Sequence, residues 1–251
     1  MNFDQYTTFW VQMRSGELLR DGIEQSSDTA IGVNRQQGLI VLSRGLVADP
    51  SDAYKATEIL LDDMRMNLTS MYSGNRGWEV SAASACLVES LDNINDYLRE
   101  QHANQSTVFD NATGVSLCAL QLMSDHFSVV TGDHYHCLLL RRGKAEIISA
   151  AQPSRQGIGM ATDFAARAEE HGFEEGDLLV LMPAREMQVV GEDFVNVTLA
   201  RFADHPEMAL RQINARANRE NLPHKPAMAI VSINRKVPKK QGWLGKFGKG
   251  K

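Results

Sequence analysis

The hydrophobic period of this chain drops from three or four to two near its middle, and that change limits the folds open to it. On the N-terminal side, apolar residues recur every three or four positions: Ala56, Leu60, Met64, Leu68 and Met71, then Ala83, Leu87, Leu91, Ile94 and Leu98. Such stripes predict two long consecutive helices, the first with Ser51 as its N-cap and the second over about residues 80–101. The Ser-Gly-Asn-Arg-Gly segment at 73–77 breaks them apart. Beyond the second helix the period drops to two. Residues 114–123, 127–131, 135–141 and 145–150 read as successive antiparallel strands, with turns at Ser124-Asp125 and at Arg142-Gly143-Lys144. Ahead of the helices, 29–33 and 39–43 read as two short strands, with Gly38 in the turn between them. Farther on, 152–159 reads as loop, 161–171 as a short helix and 178–182 as a strongly apolar strand. A helix capped by Asp204 follows, with Pro206 just inside it and Leu210, Ile213 and Ala217 facing inward. Residues 227–233 supply a last strand.

Strands, two helices, a run of meandering strands, then strand, helix and strand predict an α+β chain. The arrangement that buries each apolar face is a four-layer α-β-β-α sandwich of two packed antiparallel sheets flanked by helices. A length of 251 residues suffices for one large domain. We expect that domain over residues 1–234, with a basic, aromatic-containing tail over 235–251. No stretch approaches the roughly 20 apolar residues of a membrane span, and the first residues show no basic flank or apolar segment of a secretory signal. Cys86, Cys118 and Cys137 are an odd, widely spaced set, which argues against a disulfide frame or a zinc knuckle and for a reducing cytoplasm. The net charge of −5 is uneven. Seven Lys/Arg and no acid fall in 235–251, so the rest holds 19 basic against 31 acidic residues, about −12. An acidic body is a poor platform for phosphate backbones, so nucleic acid is not an expected partner.

Six segments, in order, carry a family resemblance. They are Ser27-Asp28-Thr29-Ala30-Ile31-Gly32, the strand ending Ser43-Arg44-Gly45-Leu46, Ala112-Thr113-Gly114-Val115-Ser116, Thr131-Gly132-Asp133-His134, Glu175-Gly176-Asp177-Leu178-Leu179-Val180-Leu181, and 221–233. In this order and spacing the chain, over about 22–234, resembles the bacterial metal-dependent serine/threonine phosphatases of the type 2C (PPM) family. That resemblance implies two divalent cations held by carboxylates, with a metal-bound hydroxide attacking the phosphate. It also implies where the carboxylates belong, and this sequence departs from the pattern there. Arg44, followed by Gly45, stands where the resemblance implies an Asp before Gly. Ala184 stands where the resemblance implies the Asp of a Ser-Asp-Gly, and His224 where it implies the Asp of a closing Asp-Asn. No Asp or Glu lies in 181–185 or 221–226. Asp28 is kept, in a role that acts mostly through water, and Asp133 is kept as a ligand to a more peripheral ion.

A guanidinium is protonated at any working pH. Set among leftover acids it repels metal and neutralises them, so we expect Arg44 to pair with Asp28, Asp133 or both; the plainer reading is an exposed turn residue. His134 and His136 share one face of a strand, which a transition metal could use, but with no third ligand nearby a half-exposed strand fits better. Cys86 and Cys118 fall on apolar faces as core residues, and Gly157-Ile158-Gly159-Met160 is too short for a dinucleotide loop. In the tail, Lys239, Lys240 and Lys246 interleave with Trp243, Leu244 and Phe247. That pattern suits an anionic membrane surface or an acidic partner, against a plain solubilising end.

These residues lead us to expect a catalytically inactive phosphatase-like domain, a pseudophosphatase. It would serve as a protein-binding or regulatory module in bacterial signalling, without catalytic residues or cofactor. Its partner would be a phosphoprotein, a kinase or a phosphatase. A divergent active phosphatase using Mn or Mg in an altered site is the alternative. A third reading is a peripheral membrane adaptor working through the tail. We expect a cytoplasmic protein, peripheral to the inner membrane if the tail engages lipid.

Overall fold

The computed structural model describes residues 7–12, 21–26, 28–45, 50–73, 80–104, 114–123, 126–131, 134–151, 157–160, 166–220 and 227–234. Eleven strands and five helices are found among them. In chain order these are β1 (Thr7–Gln12), β2 (Gly22–Ser26), β3 (Thr29–Asn34), β4 (Leu39–Gly45), α1 (Pro50–Ser73), α2 (Val80–Asn104), β5 (Val115–Leu122), β6 (His126–Thr131), β7 (Tyr135–Arg141), β8 (Lys144–Ser149), β9 (Glu169–Gly172), β10 (Leu178–Pro183), α3 (Ala184–Val190), α4 (Glu192–Arg201), α5 (Pro206–Arg219) and β11 (Met228–Ile233).

The strands form two antiparallel sheets. One has six strands in the order β2-β3-β4-β5-β6-β9, the other five in the order β1-β11-β10-β7-β8. Each sheet buries both faces, so its central strands carry apolar residues almost continuously. Ile31, Ile40, Leu42, Cys118, Leu120, Phe127 and Val129 of the first sheet meet Tyr135, Cys137, Leu179, Leu181, Ala229 and Val231 of the second. The opposite face of the six-stranded sheet packs on α1 and α2, whose Ala56, Leu60, Met64, Leu87, Leu91, Ile94 and Leu98 are buried there. Met187, Val195, Leu199, Leu210, Ile213 and Ala217 of α3, α4 and α5 cover the outer face of the five-stranded sheet. The result is the four-layer α-β-β-α sandwich expected from the period change.

Several sequence expectations need correction. The helix expected over 161–171 is not formed in its described part. Residues 166–168 are irregular and Glu169–Gly172 is strand β9, paired to β6 from Val129↔Glu169 to His126↔Gly172. The Ala- and Glu-rich composition favours helix locally, but the open edge of β6 offers a ladder, and His171 packs its ring on Phe127 at 5.5 Å. The expected N-cap Ser51 lies inside α1, which begins at Pro50, a residue suited to the first helical position. His205, with no side-chain hydrogen bond, takes the N-cap of α5 in place of Asp204. The 152–159 loop includes Ile158, which makes an isolated bridge to Val115. Strands β1 and β2 and helices α3 and α4 were not anticipated. The β7–β8 turn is as expected: Arg142 at φ 53° and Gly143 at φ 77° join Arg141↔Lys144 in the two-residue, positive-φ hairpin form.

Candidate functional site

Each described candidate site residue sits at an element end because strands stop there. Asp28 directly precedes β3, and Arg44 and Gly45 close β4. The two ends are locked in register: Thr29 lies opposite Arg44, and the Gly45 N–H donates to the Asp28 carbonyl at 2.7 Å. On the other sheet β10 ends at Pro183 and passes straight into α3, so Ala184 is the first helical residue. Its N–H donates to the His134 carbonyl at 2.7 Å, and Pro183 lies opposite Tyr135 at the start of β7.

Arg44 spans the gap between the sheets. Its Nε donates to Asp28 Oδ2 at 3.2 Å, which is the pairing expected from the sequence. Its Nη1 lies 3.6 Å from Glu186 Oε1, an acid two residues into α3 that the sequence reading missed. The Arg44 side chain is 17 % exposed and that of Glu186 only 3 %. A charge that deep needs a counter-charge, and Arg44 supplies it. Asp28 also accepts from the Thr29 hydroxyl at 3.3 Å.

Tyr135 completes the cluster. Burial pushes its phenol well above the ordinary value. Arg44 opposes that, while Cys118, Glu186 and Asp28 add to it. The phenol therefore stays neutral. Among the described residues, neither the Tyr135 hydroxyl nor Glu186 Oε2 has a hydrogen-bond partner, although both are buried.

The structure brings together Asp28, Arg44 and Gly45. It also brings the start of α3, opened by Ala184, close to them through Glu186. Asp133 and His224 lie outside the described residues, as do Lys239, Lys240, Trp243, Leu244, Lys246 and Phe247. Ala184 offers no oxygen from its side chain. Among the described residues no three His, Cys, Asp or Glu side chains converge as metal ligands do. His136 is engaged differently: its Nδ1 accepts the Ala151 N–H at 2.9 Å. Burial lowers its affinity for a proton, with Glu192 pulling the other way. Cys86, Cys118 and Cys137 are buried thiols, each pushed up mainly by burial. None has the electropositive, partly open setting of a nucleophile.

Two stacked antiparallel sheets, helices on both outer faces and a polar cluster where their strands end define the PPM-type phosphatase fold, and solved structures bear this out. PppA, described as a key regulatory component of T6SS in Pseudomonas aeruginosa, superposes with a TM-score of 0.67 over 90% of this chain and 96% of its own, at 14% identity. The Mycobacterium tuberculosis serine/threonine phosphatase PstP/Ppp gives 0.67 over 92% and 100%, at 12% identity. The PstP catalytic domain in complex with two manganese ions gives 0.65 over 92% and 99%, at 13% identity. The chain therefore has the fold of bacterial type 2C serine/threonine phosphatases. No protein-family model and no curated protein matches the sequence. No described helix is long and apolar enough to cross a membrane.

Proposed function

We propose that this chain is a phosphatase-like domain that does not hydrolyse phosphate esters and works as a protein-binding or regulatory module. The observation that carries this reading is the Arg44 guanidinium, held between Asp28 and Glu186 at 3.2 and 3.6 Å. Two hard dications need several carboxylate oxygens each, and a fixed positive charge among those oxygens opposes them. The donor set of Asp28, Glu186 and a neutral Tyr135 does not fit such a pair. Without metal-bound hydroxide the fold keeps the polar cluster at its sheet ends but loses its nucleophile. That end of the sandwich is the surface we assign to recognition of a phosphoprotein, a kinase or an active phosphatase in a bacterial signalling or assembly system. Support for a regulatory role comes from PppA, described as a key regulatory component, and from SpoIIE, a cell-fate determinant whose phosphatase domain is accompanied by a fragment of a regulatory domain.

Glu186 favours a second reading. It is a carboxylate next to the position of Ala184, and an altered site built around it with Mn or Mg would make the chain a divergent active phosphatase. One assay separates the two: hydrolysis of an aryl phosphate with added manganese, for the native chain beside an Arg44→Asp/Ala184→Asp/His224→Asp triple variant. The first reading expects background turnover from the native chain. Turnover above background by the native chain, lost on chelation, establishes the second.

A further inference from the structure

The cluster at the ends of β4 and β10 is built of oxygens facing one positive charge. Asp28 directly precedes β3, Glu186 is in the first turn of α3 and Tyr135 starts β7, so both sheets contribute. Two of these groups keep unused capacity. Glu186 Oε2 and the Tyr135 hydroxyl are buried, and neither has a partner among the described residues. Buried polar atoms normally find partners, so an idle oxygen on the carboxylate that faces the guanidinium marks a place not fully used by that guanidinium alone. A planar guanidinium reaches Asp28 through Nε and Glu186 through Nη1. It cannot also turn toward the remaining oxygens, as a spherical ion could.

We propose that Arg44 is a tethered cation: its guanidinium fills, from within the chain, the place between Asp28 and Glu186 that a hard divalent cation would otherwise take. The two sheet ends then close without metal. This rests on the non-hydrolytic reading above and deepens it, because it says what replaced the ions and which residues hold the replacement. Removing the guanidinium leaves Glu186 buried without its counter-charge and uncovers a cation site between two carboxylates. Arg44→Asp adds a third carboxylate to it.

The test is thermal unfolding of the full chain in manganese or in chelator. The native chain is expected to unfold at the same temperature in both and to take up no manganese by calorimetry at the cluster. Arg44→Ala in chelator should unfold about 10 °C lower. Manganese should raise it again by at least ~5 °C, which corresponds to ligand well above its dissociation constant. Arg44→Asp should respond more strongly, and adding Glu186→Gln should abolish the response. If Arg44→Ala does not fold in chelator, recovery of soluble protein on refolding in manganese, but not in magnesium-free chelator, reads the same effect. Variants indifferent to manganese, or a native chain stabilised by it as much as Arg44→Asp, would overturn the proposal. These failures are distinct from failure of the functional reading, which is decided by turnover of the native chain.

Discussion

His136 shows how a single side chain can tie stability to pH without belonging to any reaction. It lies on the helix-facing side of β7 with Leu138 and Leu140, and its Nδ1 must be unprotonated to accept the Ala151 N–H. Burial holds its pKa below the ordinary 6.5, with Glu192 opposing. For a base whose folded-state pKa is depressed, the unfolded chain binds more protons between the two values. Stability from this group is therefore complete above about pH 6.5 and is lost as pH falls from there through the folded-state value. His136→Asn keeps an acceptor and does not titrate. Its urea midpoint should fall less than that of the native chain between about pH 7 and pH 5.5. Parallel curves for the two proteins would remove His136 from the acid response. The same scale shows the limits of reading side chains from sequence. Arg44 was legible because a guanidinium in a place calling for an acid must find one. Its second partner was not, because Glu186 stands one residue past the 181–185 stretch where the resemblance implies an acid. An acid in the first turn of a helix that starts directly from an apolar strand is the signal that would have found it. Tyr135 gave no signal, since a tyrosine on an alternating strand reads as core.

At the scale of elements, the seam between α1 and the six-stranded sheet is drawn by small residues. Ser43 on β4 is fully buried and its hydroxyl meets Thr57 Oγ1 at 2.6 Å and the Ala53 carbonyl at 2.7 Å, so the helix is pinned to the strand by hydrogen bonds. Gly32 on β3 lets the helix come this near: a Cβ there would lie 2.6 Å from Thr57 Cγ2 and 2.8 Å from Leu61 Cδ1. Thr57 is already fixed by its bonds, so it cannot yield cheaply. Gly32→Ala is expected to cost about 1–3 kcal/mol of unfolding free energy, measured by urea denaturation. A cost near zero would mean that α1 moves freely on the sheet. Helices α1 and α2 were legible because their stripes run for several turns. Helices α3 and α4 were not, at 7 and 10 residues and divided by Gly191 at φ 95°. Strand β2 holds only exposed and half-buried residues along a sheet edge and offers almost no apolar signal. β9 was misread because local helix propensity pointed one way and the free edge of β6 the other.

For the molecule as a whole, layers were easier to read than their edges. Four layers followed from two helical stripes, a block of strands and the need to bury two apolar sheet faces, and those are properties averaged over many residues. Charge is the other whole-molecule property, and it is divided sharply along the chain. The body carries about −12, while the 17 residues from 235 to 251 carry seven Lys/Arg and no acid. Near an anionic bilayer each such side chain contributes roughly 1 kcal/mol, and Trp243, Leu244 and Phe247 can add apolar burial at headgroup level. The acidic body is repelled by the same surface, so any attachment must come from the tail. The membrane reading therefore predicts that the full chain sediments with phosphatidylserine vesicles at ~0.1 M salt, where screening is incomplete, and comes off at ~0.5 M. Neutral phosphatidylcholine vesicles should leave it in solution. Deleting 235–251 should abolish sedimentation while the unfolding temperature of the remainder stays unchanged, because charge in the tail and packing in the sandwich are separate contributions. Equal sedimentation with and without the tail would transfer the lipid contact to the body, against its charge. No sedimentation by either protein would leave those seven cations to an acidic protein surface.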